Sequence, residues 1–531
     1  MTAQSAPAMR PFMPVYGPRP PTALERRWPG PSRPADAVAL GATGMAGLVA
    51  AASVPLDRPG VGWAVAGLAG AAALTALSLR GWAHPATHPT ANGRGPAVPP
   101  VVEAGTIRPL WTVATVLLLS VGTVRAAGWL FVLCLLTAAV TASLAVTAGR
   151  SLPAVAVTSV AVPVAALRGL PWVARGTAIL ARRQRGGPSA RTAATIGVSV
   201  LLLLVFGGLF ASADAAFAEL AGRVTPEFSA ATLARWVYVF AFATLGLLGG
   251  AYLLAAPPRL TGLERPAKTR LHRLEWTLPL VALNAIFLAF VAVQLTVLFG
   301  GAGHVLRTAG LTYAEYARRG FWQLLVVTAL TLGVLALAAR WAPRDTKRDR
   351  LLVRVLLGGL AALCLVIVVS ALFRMHTYEE AYGFTRLRVL VSACELWLGS
   401  VLVMVLAAGV RLRAGWLPQA AIGSGVAALI GLAILNPDHF IADRNVARYQ
   451  DTGRIDLAYL SGLSADAVPA LDRLPATLRS CALGDVARDL AEDHDWRGWN
   501  IGADRARHAL DGQSAASLTW SPECGSQRIH W

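Results

Sequence analysis

About eleven long apolar stretches, separated by short arginine-bearing loops, dominate this chain of 531 residues. A helix rises 1.5 Å per residue, so roughly 20 apolar residues cross the ~30 Å hydrocarbon layer of a bilayer. No soluble core needs so many segments of that length. The stretches cover 36–54, 61–79, 109–124, 128–147, 194–212, 232–255, 276–299, 321–340, 351–372, 389–410 and 418–435. They predict an all-α polytopic transmembrane helical bundle.

Charge distribution agrees. Only 15% of residues are charged, against about 25% in ordinary soluble domains. The formal charge is +19, yet Asn436–Trp531 holds 10 arginines and 14 acidic residues, a net of −4, which leaves +23 for the rest. That positive charge falls in the loops between apolar stretches, as the positive-inside rule requires. The expected partner is therefore a lipid bilayer and not nucleic acid. Two lysines, Lys268 and Lys347, stand against 46 arginines among abundant Ala, Gly and Pro, a bias that fits a high-GC bacterial genome of actinobacterial type.

Four basic clusters set the orientation: Arg182, Arg183, Arg185 and Arg191; Arg259 to Arg273; Arg344 to Arg350; and Arg411 with Arg413. They alternate with less basic loops at 213–231, 300–320 and 373–388. Placing the clusters in the cytoplasm of a cell-membrane protein puts the N-terminus inside and, after eleven spans, the C-terminus outside. Residues 152–167 are apolar but short, contain Pro153 and Pro163, and run into Arg168, Trp172 and Arg175. They read as an interfacial or re-entrant element. The organisation expected is a disordered cytoplasmic Pro/Arg-rich tail (1–35), a four-span region (36–147), a basic cytoplasmic segment (148–193), a seven-span core (194–435) and a small extracytoplasmic helical domain (436–531). Within that last domain, 438–449 and 484–492 carry helical patterning.

Chemistry-bearing residues are few. Glu395 lies seven residues past Arg388, roughly 10 Å into the apolar layer. A carboxylate there costs several kcal/mol unless it is protonated, paired or wetted. It is either a proton or cation site, a polar pivot between helices, or half of a structural pair with Arg354, Arg374 or Arg388. Asn284 and Gln294 read as interhelical hydrogen-bond formers. Two predicted outer loops are alike: Thr312-Tyr313-Ala314-Glu315-Tyr316 followed by Arg318, Arg319 and Phe321, and Thr377-Tyr378-Glu379-Glu380-Ala381-Tyr382 followed by Phe384, Arg386 and Arg388. They are either a parallel repeat of helical hairpins or a shared surface composition. Their phenols, carboxylates and guanidiniums suit a polar head group or a small solute, or else form an interfacial aromatic belt.

Cys134, Cys364 and Cys394 fall within spans, whereas Cys481 and Cys524 fall in the predicted outer domain, where a disulfide is permitted. No zinc spacing, Walker A, H-E-x-x-H or G-x-S-x-G occurs, so neither metal nor cofactor is expected. Asp57 is the lone acid of the first outer loop, where lipid-linked glycosyltransferases typically carry several.

Three stretches together carry a resemblance: Leu311 to Trp322; Tyr382-Gly383-Phe384-Thr385-x-x-Arg388; and Asn436-Pro437-Asp438, running through Ile441-Ala442, Asn445, Arg448, Asp456, Tyr459-Leu460 and Asp466-Ala467-Val468-Pro469. In these, residues 190–475 resemble bacterial multi-pass membrane proteins catalogued as a domain of unknown function. The resemblance implies a membrane protein with outer-face motifs and lends no activity, substrate or cofactor. The expected function is transport, or envelope sensing and scaffolding, through a polar site of Glu395, Tyr313, Glu315, Tyr316, Arg318, Arg319, Tyr378, Glu380, Arg386 and Arg388. The alternative is a membrane enzyme acting on a lipid-linked substrate at the outer face.

Overall fold

The computed structural model describes residues 28–82, 104–147, 152–183, single positions between 192 and 219, 230–258, 272–299, 321–412, 414–492 and 495–510. Among them no strand occurs. The helices are α1 (Ala37–Ser53), α2 (Val61–Leu77), α3 (Ala104–Val124), α4 (Gly128–Thr147), α5 (Leu152–Ser159), α6 (Ala161–Arg183), α7 (Ala230–Ala255), α8 (Arg273–Phe299), α9 (Phe321–Trp341), α10 (Lys347–Tyr382), α11 (Arg386–Arg411) and α12 (Leu417–Leu435). After these come α13 (Pro437–Thr452), α14 (Ala476–Ala491) and α15 (Ile501–Ala509), joined by short helical turns.

Nine of the described helices, α2–α4 and α7–α12, are long and apolar enough to cross a membrane. Large apolar side chains such as Phe242, Leu288, Leu330, Val369 and Val403 are exposed on them. That outward apolarity suits lipid and would be a liability in water. The chain is a multi-pass membrane protein. α1 is apolar too, at 17 residues. The stretch 194–212 lies largely outside the described residues. α5 and α6, which cover the segment read as interfacial, are not among the nine.

Local chemistry fixes the helix ends. Thr346 and Asp349 form a capping box that starts α10, and Arg273 of α8 pairs with Asp349 at 2.8 Å. α10 then runs 36 residues, about 54 Å at 1.5 Å per residue, well beyond the hydrocarbon. Residues 373–388, expected as a loop, are thus mostly helix: the loop is only Gly383, Phe384 and Thr385. The apolar run ends near Leu372, but Arg374 to Tyr382 are good helix formers and carry the helix on past it. At α1 and α2 a Cβ on Gly62 would collide with the Ser53 carbonyl oxygen, so only glycine permits that crossing.

Two ends of the bundle are distinct. At one, residues 28–36 lie on α6 and α7. The Trp172 indole donates to the Arg33 carbonyl at 2.9 Å, and that of Trp28 donates to the Ala256 carbonyl at 2.7 Å. At the other, α13–α15 sit over the turns 54–60, 125–127 and 383–385. Val61 N–H donates to the Trp499 carbonyl at 2.9 Å. The core of these C-terminal helices includes Ile441, Leu460, Val468, Leu471 and Leu483, and it is continuous with Leu130 and Cys134 of α4.

Candidate functional site

The C-terminal helices are held to the bundle by buried polar groups. Asn436, in the left-handed region at φ 59°, turns the chain from α12 into α13, and Pro437 opens α13. Asp438 follows, fully buried. Its carboxylate accepts from Arg386 Nε at 2.9 Å and Nη2 at 2.5 Å, from the Trp129 indole at 3.0 Å and from Ser464 N–H at 2.9 Å. Burial alone would push this carboxyl up, but the hydrogen bonds and charge of Arg386 hold it below its ordinary value. Bidentate geometry and full satisfaction are what a buried ion pair needs to repay its desolvation.

The same turn is gripped by three more side chains. Asn445 accepts from Phe384 N–H at 3.1 Å and donates to the Phe384 carbonyl at 2.8 Å. Arg448 donates to the Ala381 carbonyl at 2.7 Å, and Arg386 N–H donates to the Tyr459 hydroxyl at 2.6 Å. Gly383, at φ 81°, makes the turn. The motif around Gly383 and the motif from Asn436 to Asp466 are therefore two halves of one clamp.

Asp466 makes a separate contact. Its Oδ2 accepts from Ala126 N–H at 2.7 Å and Ala127 N–H at 3.2 Å, capping α4 across the chain. Its Oδ1 is buried with no hydrogen-bond partner. Burial pushes this carboxyl up to about 6. Arg125 in the same turn donates to the Ala433 and Ile434 carbonyls at the end of α12.

This geometry has a pH consequence. Because the folded pKa of Asp466 exceeds its unfolded value near 4, the native state binds the extra proton, and docking strengthens as pH falls from about 7 toward 4. A shift of about two units is worth roughly 3 kcal/mol at most. Asp438, with its value held low, opposes this only at lower pH. The hydrogen-exchange protection factors of residues 457–510, corrected for the pH dependence of intrinsic exchange, are expected to rise between pH 7.5 and 5. In Asp466→Asn that trend is expected to vanish; an unchanged slope would contradict the assignment.

The sequence-expected site is redistributed. Arg386 turns its guanidinium onto Asp438 and keeps about a third of its side chain exposed. Arg388 donates to the Gly383 carbonyl and stacks over the Tyr378 ring at 4.2 Å, and Tyr378 packs on Tyr382 at 4.9 Å. Glu380 is exposed and lies 3.2 Å from His376. Tyr313, Glu315, Tyr316, Arg318 and Arg319 lie outside the described residues, as does the first copy of the repeat. Asn284 bridges helices as expected, donating to the Leu356 carbonyl at 3.1 Å, and Gln294 accepts from Arg374 at 2.5 Å. Cys481 is buried in α14 and is not among the free thiols, while Cys524 lies outside the described residues.

Glu395 is 1% exposed within α11, and neither carboxylate oxygen has a hydrogen-bond partner. Among the described residues no arginine pairs with it, which removes one of the three alternatives there: Arg374 donates to Gln294 and Arg388 to the Gly383 carbonyl. Sequence reading missed the cavity of about 320 Å³ between the first turn and the C-terminal helices, lined by Arg58, Ser464, Asp485, Asp489, Asn500 and Arg507, among others. Arg58 already pairs with Asp57 and approaches Asp489 at 3.8 Å, and Asp485 pairs with Arg488.

The fold and these buried groups define a polytopic helical membrane protein with a docked C-terminal helical unit. The chain belongs to the family of a domain of unknown function, DUF4153, whose model matches residues 113–474. The match begins within α3 and so reaches further toward the N-terminus than the three motifs alone imply. No curated protein and no solved structure matches the chain.

Proposed function

We propose that this chain is a non-enzymatic membrane protein of the transport or envelope-sensing and scaffolding kind, with Glu395 as its working group. The observation that carries this reading is a fully buried carboxyl in a membrane-spanning helix with no hydrogen-bond partner among the described residues. Such a group is expensive and is retained where it does something. α11, which carries it, starts at the turn gripped by α13.

The topology we propose has eleven crossings, with the N-terminus cytoplasmic and the C-terminus outside the cytoplasm. Successive described helices alternate between the two ends. α6 finishes on the side of Trp28, whereas α7 starts on the side of Arg497, which stacks over Trp236. An odd number of crossings between them is then required, and 194–212 supplies one. Basic clusters gather at the Trp28 end, which by the positive-inside rule is cytoplasmic. A Cys481–Cys524 disulfide on the outer side belongs to the same proposal; peptide mapping without reductant is expected to recover the linked pair, and two free thiols would remove it.

Glu395→Gln and Arg318→Ala, at normal expression, are expected to reproduce the transport or envelope defect of a deletion strain, with lipid-linked precursors unchanged. Wild-type behaviour of both variants would end the assignment of this site, and an accumulated lipid-linked precursor would favour the enzyme.

A further inference from the structure

We propose that the ligand of Glu395 is a proton, delivered from the end of the bundle that carries the C-terminal helices through Glu379 and Ser392. This deepens the reading of Glu395 as the working group and rests on it. The groups that face Glu395 can be taken element by element. α10 presents Cys364, and α11 itself presents Cys394. From α9, Thr328 and Thr331 lie beside Cys364, and their hydroxyls donate to Leu324 and Val327 of their own helix. α12 packs against another side of α11, where Trp397 meets Ser424. Arg354 is ten residues before Cys364 on α10, about 15 Å along the axis. Among the described residues, neither carboxylate oxygen meets a hydrogen-bonding cation.

Three ligands could neutralise it. A hard metal cation needs about six oxygen donors, and among the described residues no group of three His, Cys, Asp or Glu could hold a metal. An organic cation needs room, which a side chain 1% exposed does not offer. A proton needs only the carboxyl oxygen. The neutral acid also avoids the cost of a charge in hydrocarbon.

A route is present on the same face of α11. Ser392 lies three residues before Glu395, one turn nearer the helix start, so their side chains are neighbours. Ser392 also comes within side-chain reach of Glu379, a buried acid near the end of α10. Glu379 in turn lies within electrostatic reach of His376, which is exposed. Once the Ser392 hydroxyl rotates onto Glu395, a proton taken up by Glu379 passes to the Ser392 oxygen as that hydroxyl gives its own proton to Glu395. Each oxygen along the path ends with the proton count it needs, and no redox partner enters.

Infrared spectroscopy of the purified full chain in lipid vesicles tests this without any physiological readout. At pH 7 the carbonyl stretch of a protonated, buried carboxylic acid is expected; it shifts in heavy water, is lost in Glu395→Gln, and is displaced but kept in Glu395→Asp. Ser392→Ala is expected to slow the heavy-water shift of that band. No such band at pH 7, or a band lost in Glu379→Gln but kept in Glu395→Gln, would overturn the proposal. The band can be absent while Glu395→Gln still abolishes function, and then only the proton falls. It can be present while that variant behaves as wild type, and then only the functional reading falls.

Discussion

Replacing Asp438 with alanine is expected to release α13–α15 from the bundle. The substitution leaves the Arg386 guanidinium without its carboxylate and strips acceptors from the Trp129 indole and the Ser464 N–H. Removing one partner of a buried ion pair costs about 3–5 kcal/mol. Arg386 keeps some solvent exposure, so we expect the lower end, about 3 kcal/mol. That corresponds to roughly a hundredfold rise in the opening equilibrium of the C-terminal helices. Hydrogen exchange over 437–471 reads it directly, and protease cleavage near Asn436 is an independent check. Asp438→Asn keeps the shape and one of the two acceptor oxygens and is expected to lose less. Protection equal to wild type in Asp438→Ala would show that the pair does not hold the domain.

The second large effect is expected at Gly383. Its φ of 81° and ψ of 174° fall in a region essentially confined to glycine. A Cβ there would also collide with Asn445 Oδ1. Gly383→Ala thus adds about 1–3 kcal/mol of backbone strain and pushes Asn445 off the Phe384 backbone. Gly453 is the internal control: its φ is also positive, at 69°, but a Cβ there would meet nothing within 4 Å. Gly453→Ala is expected to cost about 1 kcal/mol from backbone alone. Chemical unfolding or exchange rates of the two variants compare them, and an equal loss would mean that the close approach to Asn445 carries no weight.

The membrane helices were legible because repeated apolar runs near 20 residues match the thickness of hydrocarbon and exceed what a water-soluble core can bury. The end of α10 was not. Hydropathy marks where hydrocarbon stops and says nothing of where a helix stops, so His376, Glu379 and Glu380 read as loop although they continue the helix. The motif residues were visible as unusual, but their direction was hidden. Arg386 and Asp438 are 52 positions apart, and a single sequence does not say that an arginine at one helix start meets an aspartate at another. For the same reason the sequence does not show that Asp466 caps α4 from 340 residues away. Glu395 was legible from its position in an apolar run; its missing arginine was not, because Arg374 and Arg388 were near enough in sequence to serve.

Sidedness is the claim on which the clamp, the disulfide and the proton route all depend. The variants Arg505→Cys in α15 and Arg350→Cys in α10, both at exposed positions, can be treated with a membrane-impermeant thiol reagent on whole cells, with the unsubstituted chain as baseline. The account predicts labelling at 505 before permeabilisation and at 350 only after it. Labelling of both positions from the same side would contradict it.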